Sequence, residues 1–441
     1  MSRFHDHSSS SRYITEDPNE DGIDRRGFLK CMAWAGTGVV WGLAGGIPTS
    51  YALSRVPLLG EHERKSIFFA QISDSHIGFS KEANKDVTAT LREAVAKLNA
   101  LPQRPAFVLH TGDITQLSKP GEFDTADHVL RELRTDKVFF VPGEHDVAVD
   151  NGAAYLARYG KSVGAKGGGW YSFDHSGVHF IGLVNVLDLK AGGLGTLGPA
   201  QLEWLARDVR GLPSSTPIVV FAHVPLWTVY PEWGWGTDDS EQALALLKRF
   251  GSVTVLNGHI HQIMQKVEGN IAFHTAMSTA FPQPAPGTAP APGPMKVEPE
   301  RLRSVLGVAN VTYVPGRHSL AVVDATLSGL PPAFAAAGMH DGMSANAQQR
   351  SGRTAAPLGA NEIGIDNFQF TPPTLRVARG TAVTWINGDD VPHLIVNVQQ
   401  KFKASPVLDT DQRYSVTLTA SGTYDYFCSL HPKMTGKIIV A

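Results

Sequence analysis

Five apolar runs in the first two-thirds of the chain each lead into side chains that can bind a divalent metal. Ile67–Ile72 leads to Asp74 and His76, Val108–Leu109 to Asp113, and Phe139–Val141 to Glu144, His145 and Asp146. Val219–Phe221 leads to His223, and Val255–Leu256 to His259 and His261. Carboxylate and imidazole together suit a pair of borderline ions such as Mn, Fe or Zn. Gly112, Gly143 and Gly258 stand beside these residues, where backbone must turn sharply or approach closely. One such histidine alone would read as a core or surface residue; five blocks in order read as a site. A second set lies near the C-terminus, where Cys428, His431 and Met434 follow one another at three-residue spacing and His393 stands upstream. Two imidazoles, a thiolate and a thioether form the donor set of a one-electron copper centre, trigonal with a long axial bond to sulfur.

Such ligands need rigid elements to carry them. Ile67–Ile72, Ala106–Leu109, Val138–Val141, Val178–Val184, Ile218–Phe221 and Val253–Leu256 are short and almost continuously apolar, as strands buried on both faces are. Between them, Val87, Leu91, Val95 and Leu98 form one helical stripe. Pro199 can open a helix carrying Leu202, Leu205 and Val209, and Ala243, Leu246 and Leu247 mark another. This predicts an α/β domain over 62–329, with the proline-rich stretch 282–294 as an extended loop and Ser319–Val323 as a last strand. Residues 330–360 are rich in Ala, Gly, Ser and Gln without periodicity and read as a flexible linker. Residues 361–441 carry the β-prone runs Leu375–Ile386, His393–Val398, Tyr414–Thr419, Thr423–Phe427 and Lys437–Val440, which predict a small all-β sandwich.

The 441 residues carry a formal net charge of −2, so no basic field favours nucleic acid. Two cysteines, Cys31 and Cys428, exclude a disulfide scaffold. Residues 1–52 resemble a twin-arginine signal: Arg25-Arg26-Gly27-Phe28-Leu29-Lys30 precedes a Gly-diluted apolar stretch, Cys31 to Ile47, shorter than the ~20 residues of a membrane span. The resemblance implies export of a folded, cofactor-loaded chain by the twin-arginine machinery, to the periplasm or beyond the membrane. Cleavage near Ala52 would leave Cys428 as the one thiol of the mature chain, for which metal ligation is the first explanation.

The blocks D-x-H, G-D, G-E-H-D, H and G-H-x-H, in this order, resemble the calcineurin-like metallophosphoesterases, whose third block is G-N-H-[DE]. The resemblance implies a mixed β-sandwich flanked by helices. It implies that Asp74, His76 and His261 hold one metal, that His223 and His259 hold the second, and that Asp113 bridges both. It places His145 above the pair as a proton donor or phosphate ligand, with Asp146 orienting its imidazole. Glu144 stands where that family has Asn, so either it ligates as the amide does or its extra charge favours an oxidised, iron-containing pair. The C-terminal ligands resemble those of the cupredoxins, with a loop length closest to amicyanin, and imply a type 1 copper ion and a redox partner protein. Trp227, Tyr230, Trp233 and Trp235 could stack a nucleobase or simply pack a loop, and packing is the simpler reading. The expected function is hydrolysis of a small phosphomonoester or phosphodiester, with a cyclic nucleotide among the candidates. The alternative is an electron-transfer protein whose longer domain is a degenerate or redox-active scaffold.

Overall fold

The computed structural model describes residues 39–44, 47–52, 66–135, 137–315, 320–329 and 358–441. The paired arginines and most of the linker lie outside the described residues. Strands β1 (Val39–Ala44) and β2 (Ile47–Ala52) pair antiparallel within the N-terminal unit. Residues 65–441 form the second unit. No described helix is long and apolar enough to cross a membrane.

In the longer domain the elements follow as β3 (Ile67–Ile72), α1 (Val87–Asn99), β4 (Val108–His110), α2 (Pro120–Leu130), β5 (Val138–Phe140) and the short α3 (Glu144–Val147). Then come β6 (Tyr171–His175), β7 (Val178–Gly182), α4 (Pro199–Val209), β8 (Ile218–Phe221), α5 (Ser240–Leu247) and β9 (Val253–Asn257). The domain closes with β10 (Gln265–Glu268), β11 (Ile271–Thr275), α6 (Pro299–Val305), β12 (Gly307–Tyr313) and β13 (Ala321–Thr326). They build two sheets, of order β13-β12-β3-β4-β5 and β10-β11-β9-β8-β7-β6. The strands that lead into the ligand blocks run parallel to one another within each sheet: β3, β4 and β5 in one, β8 and β9 in the other.

The sheets face each other across an aromatic core that includes Phe69, Phe107, Phe139, Phe180 and Phe221. Removing one such ring, as in Phe221→Ala, costs about 3–5 kcal/mol through lost transfer energy and the cavity left behind. The outer face of the first sheet is covered by α1 and α2, where Leu91, Val95 and Phe123 are buried; α4 and α5 cover the other with Leu205, Leu244 and Leu247. Asp86 caps α1 by accepting from Ala89 N at 2.9 Å, and Pro199 opens α4, where its missing N–H is no loss.

Residues 361–441 form two four-stranded sheets, of order β15-β14-β17-β19 and β16-β21-β20-β18. Their strands are β14 (Glu362–Asp366), β15 (Gln369–Thr371), β16 (Thr374–Val377), β17 (Thr381–Asn387), β18 (Ile395–Asn397), β19 (Arg413–Leu418), β20 (Gly422–Cys428) and β21 (Thr435–Val440). Trp385, Ile395, Tyr426 and Ile438 sit between them. The overall class is the expected one, an α/β sandwich followed by an all-β sandwich. Leu375–Ile386, however, is two strands in different sheets, because Gly380 at φ +83° turns the chain between them. Strands β6, β12, β14 and β15 are additions, since their apolar residues alternate with polar ones or with glycine and form no continuous run.

Candidate metal centres

The loops after β3, β4, β5, β8 and β9 bring Asp74, His76, Asp113, Glu144, His223, His259 and His261 together at one edge of the sandwich. Five of the seven have left-handed backbone: φ is 53° at Asp74, 42° at His76, 51° at Asp113, 71° at His259 and 53° at His261. Each such residue costs of order 1–3 kcal/mol, and the loops hold them there by close contact. A Cβ on Gly143 would lie 2.0 Å from Asp113 Oδ1, and one on Gly258 2.1 Å from Ser73 Oγ, so both positions require glycine.

The ring nitrogens identify what the site holds. His76 Nδ1 lies 2.8 Å from Gln116 Oε1, and His261 Nδ1 lies 2.7 Å from the Phe281 carbonyl. Both Nδ1 atoms therefore donate, and both Nε2 atoms carry lone pairs. Those lone pairs face each other at 3.2 Å. His223 Nδ1 likewise donates to the Thr111 carbonyl at 2.7 Å, leaving Nε2 3.3 Å from Asp113 Oδ2 and 3.1 Å from Glu144 Oε2. At His76 and His261 acceptor meets acceptor, and at the second place neither His223 Nε2 nor Glu144 Oε2 has a hydrogen-bond partner among the described residues although both are buried. Cations between them satisfy every one of these atoms, so the residues fit two metals.

Asp74 Oδ1 stands 3.4 Å from His261 Nε2, which completes the first group with His76. Glu144 Oε1 stands 3.0 Å from His259 Nδ1, which completes the second with His223. Glu144 thus turns its two oxygens to two imidazoles, in a group that could hold a metal ion. Asp113 Oδ1 accepts from His145 N at 3.0 Å, which leaves Oδ2 between the groups, 3.5 Å from His76 Nε2 and 3.3 Å from His223 Nε2.

Burial brings the His76 imidazole down to about 3, so it stays neutral and able to ligate. At His145 burial works the same way, but the Asp113 and Glu144 carboxylates outweigh it and raise the group above the usual imidazole value. The His145 ring stands edge-to-face on His76 with centroids 4.8 Å apart. Its Nδ1 donates to the Gln116 carbonyl at 2.8 Å, which leaves Nε2 for chemistry.

That contact corrects the expectation for Asp146. Its carboxylate accepts from Gly143 N at 3.0 Å, Ile114 N at 3.1 Å, Thr115 N at 2.9 Å and Thr115 Oγ1 at 2.8 Å. Burial and the Asp113 charge raise its pKa to about 7, and the backbone donors oppose them. Asp146 ties the Asp113 loop to α3; Gln116 orients His145.

The second centre is smaller. His393 Nδ1 and His431 Nδ1 lie 3.3 Å apart, and Cys428 Sγ lies 3.6 Å from His431 Nδ1. His393 Nε2 bonds Asp389 Oδ2 at 3.0 Å, which fixes the ring so that Nδ1 points to the site. Burial disfavours charge on His393, but Asp389 and Cys428 lift it to about 9; His431 is held well below the usual value by burial and by His393. Cys428 also accepts from Leu394 N at 3.5 Å. Met434 is buried in the same loop, and its carbonyl accepts from Cys428 N at 3.1 Å. A thiolate, an imidazole and a thioether on one turn, with a second imidazole from beside β18, fit copper. Asp389 was not foreseen; a carboxylate four residues before His393 was its only signal. Gln116 gave no signal at all.

The two centres are neighbours. The His145 and His431 rings lie 6.4 Å apart, centroid to centroid. Gly192 N donates to the Pro432 carbonyl at 2.6 Å, and Lys433 Nζ donates to the Gly192 carbonyl at 2.7 Å. A cavity of about 240 Å³ opens between the domains and is bordered by Glu144 and His259 on one side and by residues 430–434 on the other. Of the four aromatic candidates, Trp233 alone borders it. Trp235 is buried, Trp227 packs on Phe273 at 5.0 Å, and Tyr230 packs on Trp233 at 5.2 Å. Packing is therefore the role of three of them.

Residues 69–263 match the calcineurin-like phosphoesterase family, and residues 359–441 match the copper-binding proteins of the plastocyanin/azurin family. Amicyanin-alpha of Methylorubrum extorquens is 41% identical over 92 residues, which cover 19% of this chain and 75% of that protein. A 3',5'-cyclic-nucleotide phosphodiesterase of Nostoc sp. is 27% identical over 228 residues, covering 50% of this chain and 81% of that protein. A glycerophosphodiester phosphodiesterase of Enterobacter lignolyticus is 27% identical over 208 residues, covering 45% and 72%.

Proposed function

Because the chain belongs, through its C-terminal domain, to the plastocyanin/azurin family of copper-binding proteins and carries a calcineurin-like phosphoesterase domain before it, we propose that it is a dinuclear-metal phosphodiesterase coupled to a type 1 copper centre. The observation that carries this reading is Asp113 Oδ2, set between His76 Nε2 and His223 Nε2. A bound metal pair supplies Lewis acidity and a water nucleophile. The chain supplies the rest. Asp74, His76 and His261 hold one side, Glu144, His223 and His259 the other, and backbone carbonyls lock the rings of His223 and His261. His145, raised toward the imidazolium by Asp113 and Glu144, donates a proton from Nε2 to the departing ester oxygen. Buried, pre-oriented groups need no reorganisation as charge develops.

The substrate class is a small phosphodiester, with cyclic nucleotides and glycerophosphodiesters the first to assay, as the named activities of the two relatives suggest. The test is turnover of bis(4-nitrophenyl) phosphate, cyclic AMP and glycerophosphocholine by protein reconstituted with Mn(II), Fe(II) or Zn(II). Metal-dependent turnover that vanishes in Asp113→Asn supports the reading; no turnover with any ester and any metal overturns it. Export by the twin-arginine route, to the periplasm or another compartment across the membrane, belongs to the same proposal. It rests on Arg25-Arg26-Gly27-Phe28-Leu29. A reporter fused after residue 60 should be exported, and Arg25→Lys with Arg26→Lys should retain it in the cytoplasm.

A further inference from the structure

Each domain has its own metal ligands, yet one cavity touches both sets. Glu144 and His259 belong to the dinuclear site, His431 and Met434 to the copper site, and all four border the same 240 Å³. The copper loop is fixed in this place. Pro432 and Lys433 are both bonded to Gly192 of the longer domain, and Lys81 pairs with Asp409 at 3.5 Å on another part of the interface. The remaining walls mix apolar side chains with Glu232, Asn367, Gln369 and Lys433. Trp233 stands on one side, braced edge-on by Trp235 at 5.1 Å. Phe368 stands on the other, edge-on to His431 at 4.7 Å, and the proline-rich segment 290–292 forms a third wall. Aromatic rings and prolines suit a flat organic group, and the volume is below the ~300 Å³ of pockets for drug-sized ligands.

We propose that the copper-binding loop is a wall of the ester pocket: a compact phosphoester held at the dinuclear site packs a planar arm against Trp233, Phe368 and Pro432, and its presence is sensed at the copper through His431. The inference rests on reading the longer domain as a phosphoesterase and adds the shape of its substrate and a coupling between the sites. Because His431 is a copper ligand and borders the ester at once, binding energy is shared between the two sites. By linkage, whatever the ester does to the copper centre, the state of the copper must return to ester affinity.

The experiment uses the full chain loaded with Mn(II) and Cu(II). Phenylphosphonate and methylphosphonate, neither of them hydrolysable, are titrated while the Cu(II) visible and electron paramagnetic resonance spectra are followed. Their inhibition of bis(4-nitrophenyl) phosphate hydrolysis is measured in parallel. Phenylphosphonate should shift the Cu(II) spectrum with a midpoint equal to its inhibition constant. Methylphosphonate should bind several-fold more weakly. Trp233→Ala and Phe368→Ala should each bring the two affinities together, and Trp233→Ala keeps the test open if Phe368→Ala weakens the copper domain. Inhibition at full strength with a silent copper spectrum, or equal affinity for both phosphonates in the wild type, would overturn the proposal while leaving the phosphoesterase reading intact. Absence of hydrolysis with every ester would instead remove the reading beneath it.

Discussion

The two centres solve the same problem in opposite ways. The dinuclear site gathers ligands from five loops spread between Asp74 and His261, and five of those ligands sit in left-handed backbone. The copper site takes Cys428, His431 and Met434 from one turn and His393 from beside a neighbouring strand, and none of the four has positive φ. In the first, two sheets and four covering helices hold apart loops that would each relax if released. In the second, the β20–β21 pairing and the bonds of Pro432 and Lys433 to Gly192 set the loop, and one carboxylate, Asp389, sets the remaining ring. Ligands gathered from five loops need many independent anchors; ligands taken mostly from one turn need few.

The severest way to break this contrast is Asp113→Asn. Losing the atom shared by both groups should lower turnover by more than about 100-fold, beyond the usual effect of removing an outer partner, while the copper spectrum stays as it was. Steady-state kinetics on the Mn(II) form beside a visible spectrum checks both halves. Cys428→Ser is the mirror change: the thiolate-to-copper absorption should vanish and Mn(II) loading should stay near wild type. If Asp113→Asn bleached the copper band or Cys428→Ser emptied the dinuclear site, the centres would not be built independently.

Supporting residues sharpen the contrast at a smaller scale. Gln116→Ala removes the amide that orients His76, and Asp389→Asn weakens the carboxylate on His393. Each should cost its own metal about 10–100-fold in affinity, measured by competition with a chelator. Because several loops share the dinuclear site, Gln116→Ala should fall at the lower end and Asp389→Asn at the upper. The smallest effect lies outside both sites, at His179, which sits between Asp174 at 2.8 Å and Asp208 at 2.9 Å. Burial opposes its protonation, but these two carboxylates raise it above the ordinary imidazole value. Its contribution is complete below about pH 6.5, the unfolded value, and fades as pH rises through the higher folded value. Asp174 is exposed, so water screens the pair and the effect should stay under about 1 kcal/mol. His179→Gln should flatten the pH dependence of melting above neutrality without altering either metal centre.

The ligands were legible because metal chemistry demands particular residue types, and because those types stand at the ends of apolar runs that read as buried strands. What surrounds them was less so. Asp146 follows His145 directly, yet the turn of α3 sends its carboxylate back to the backbone of Ile114 and Thr115. Two of the rings are locked by the carbonyls of Thr111 and Phe281, and a carbonyl has no residue type to read. Trp235 resembled Trp233 in sequence, but only the fold shows that one is core and the other borders a cavity. The meeting of the domains left no pattern either, since its contacts run through Gly192, Pro432 and Lys433, which are ordinary loop residues.

Those same contacts bear on how the protein can change over generations. The stretch between Cys428 and Met434 would ordinarily be free to vary in length and composition so long as the copper stayed bound. Here its Pro432 carbonyl and Lys433 ammonium are both spent on Gly192. An insertion that retuned the metal would also lift the loop from its seat, and a change at Gly192 made for the ester's sake would reach the copper. Selection on either trait is thereby selection on both, and the two genes' worth of sequence must drift as one.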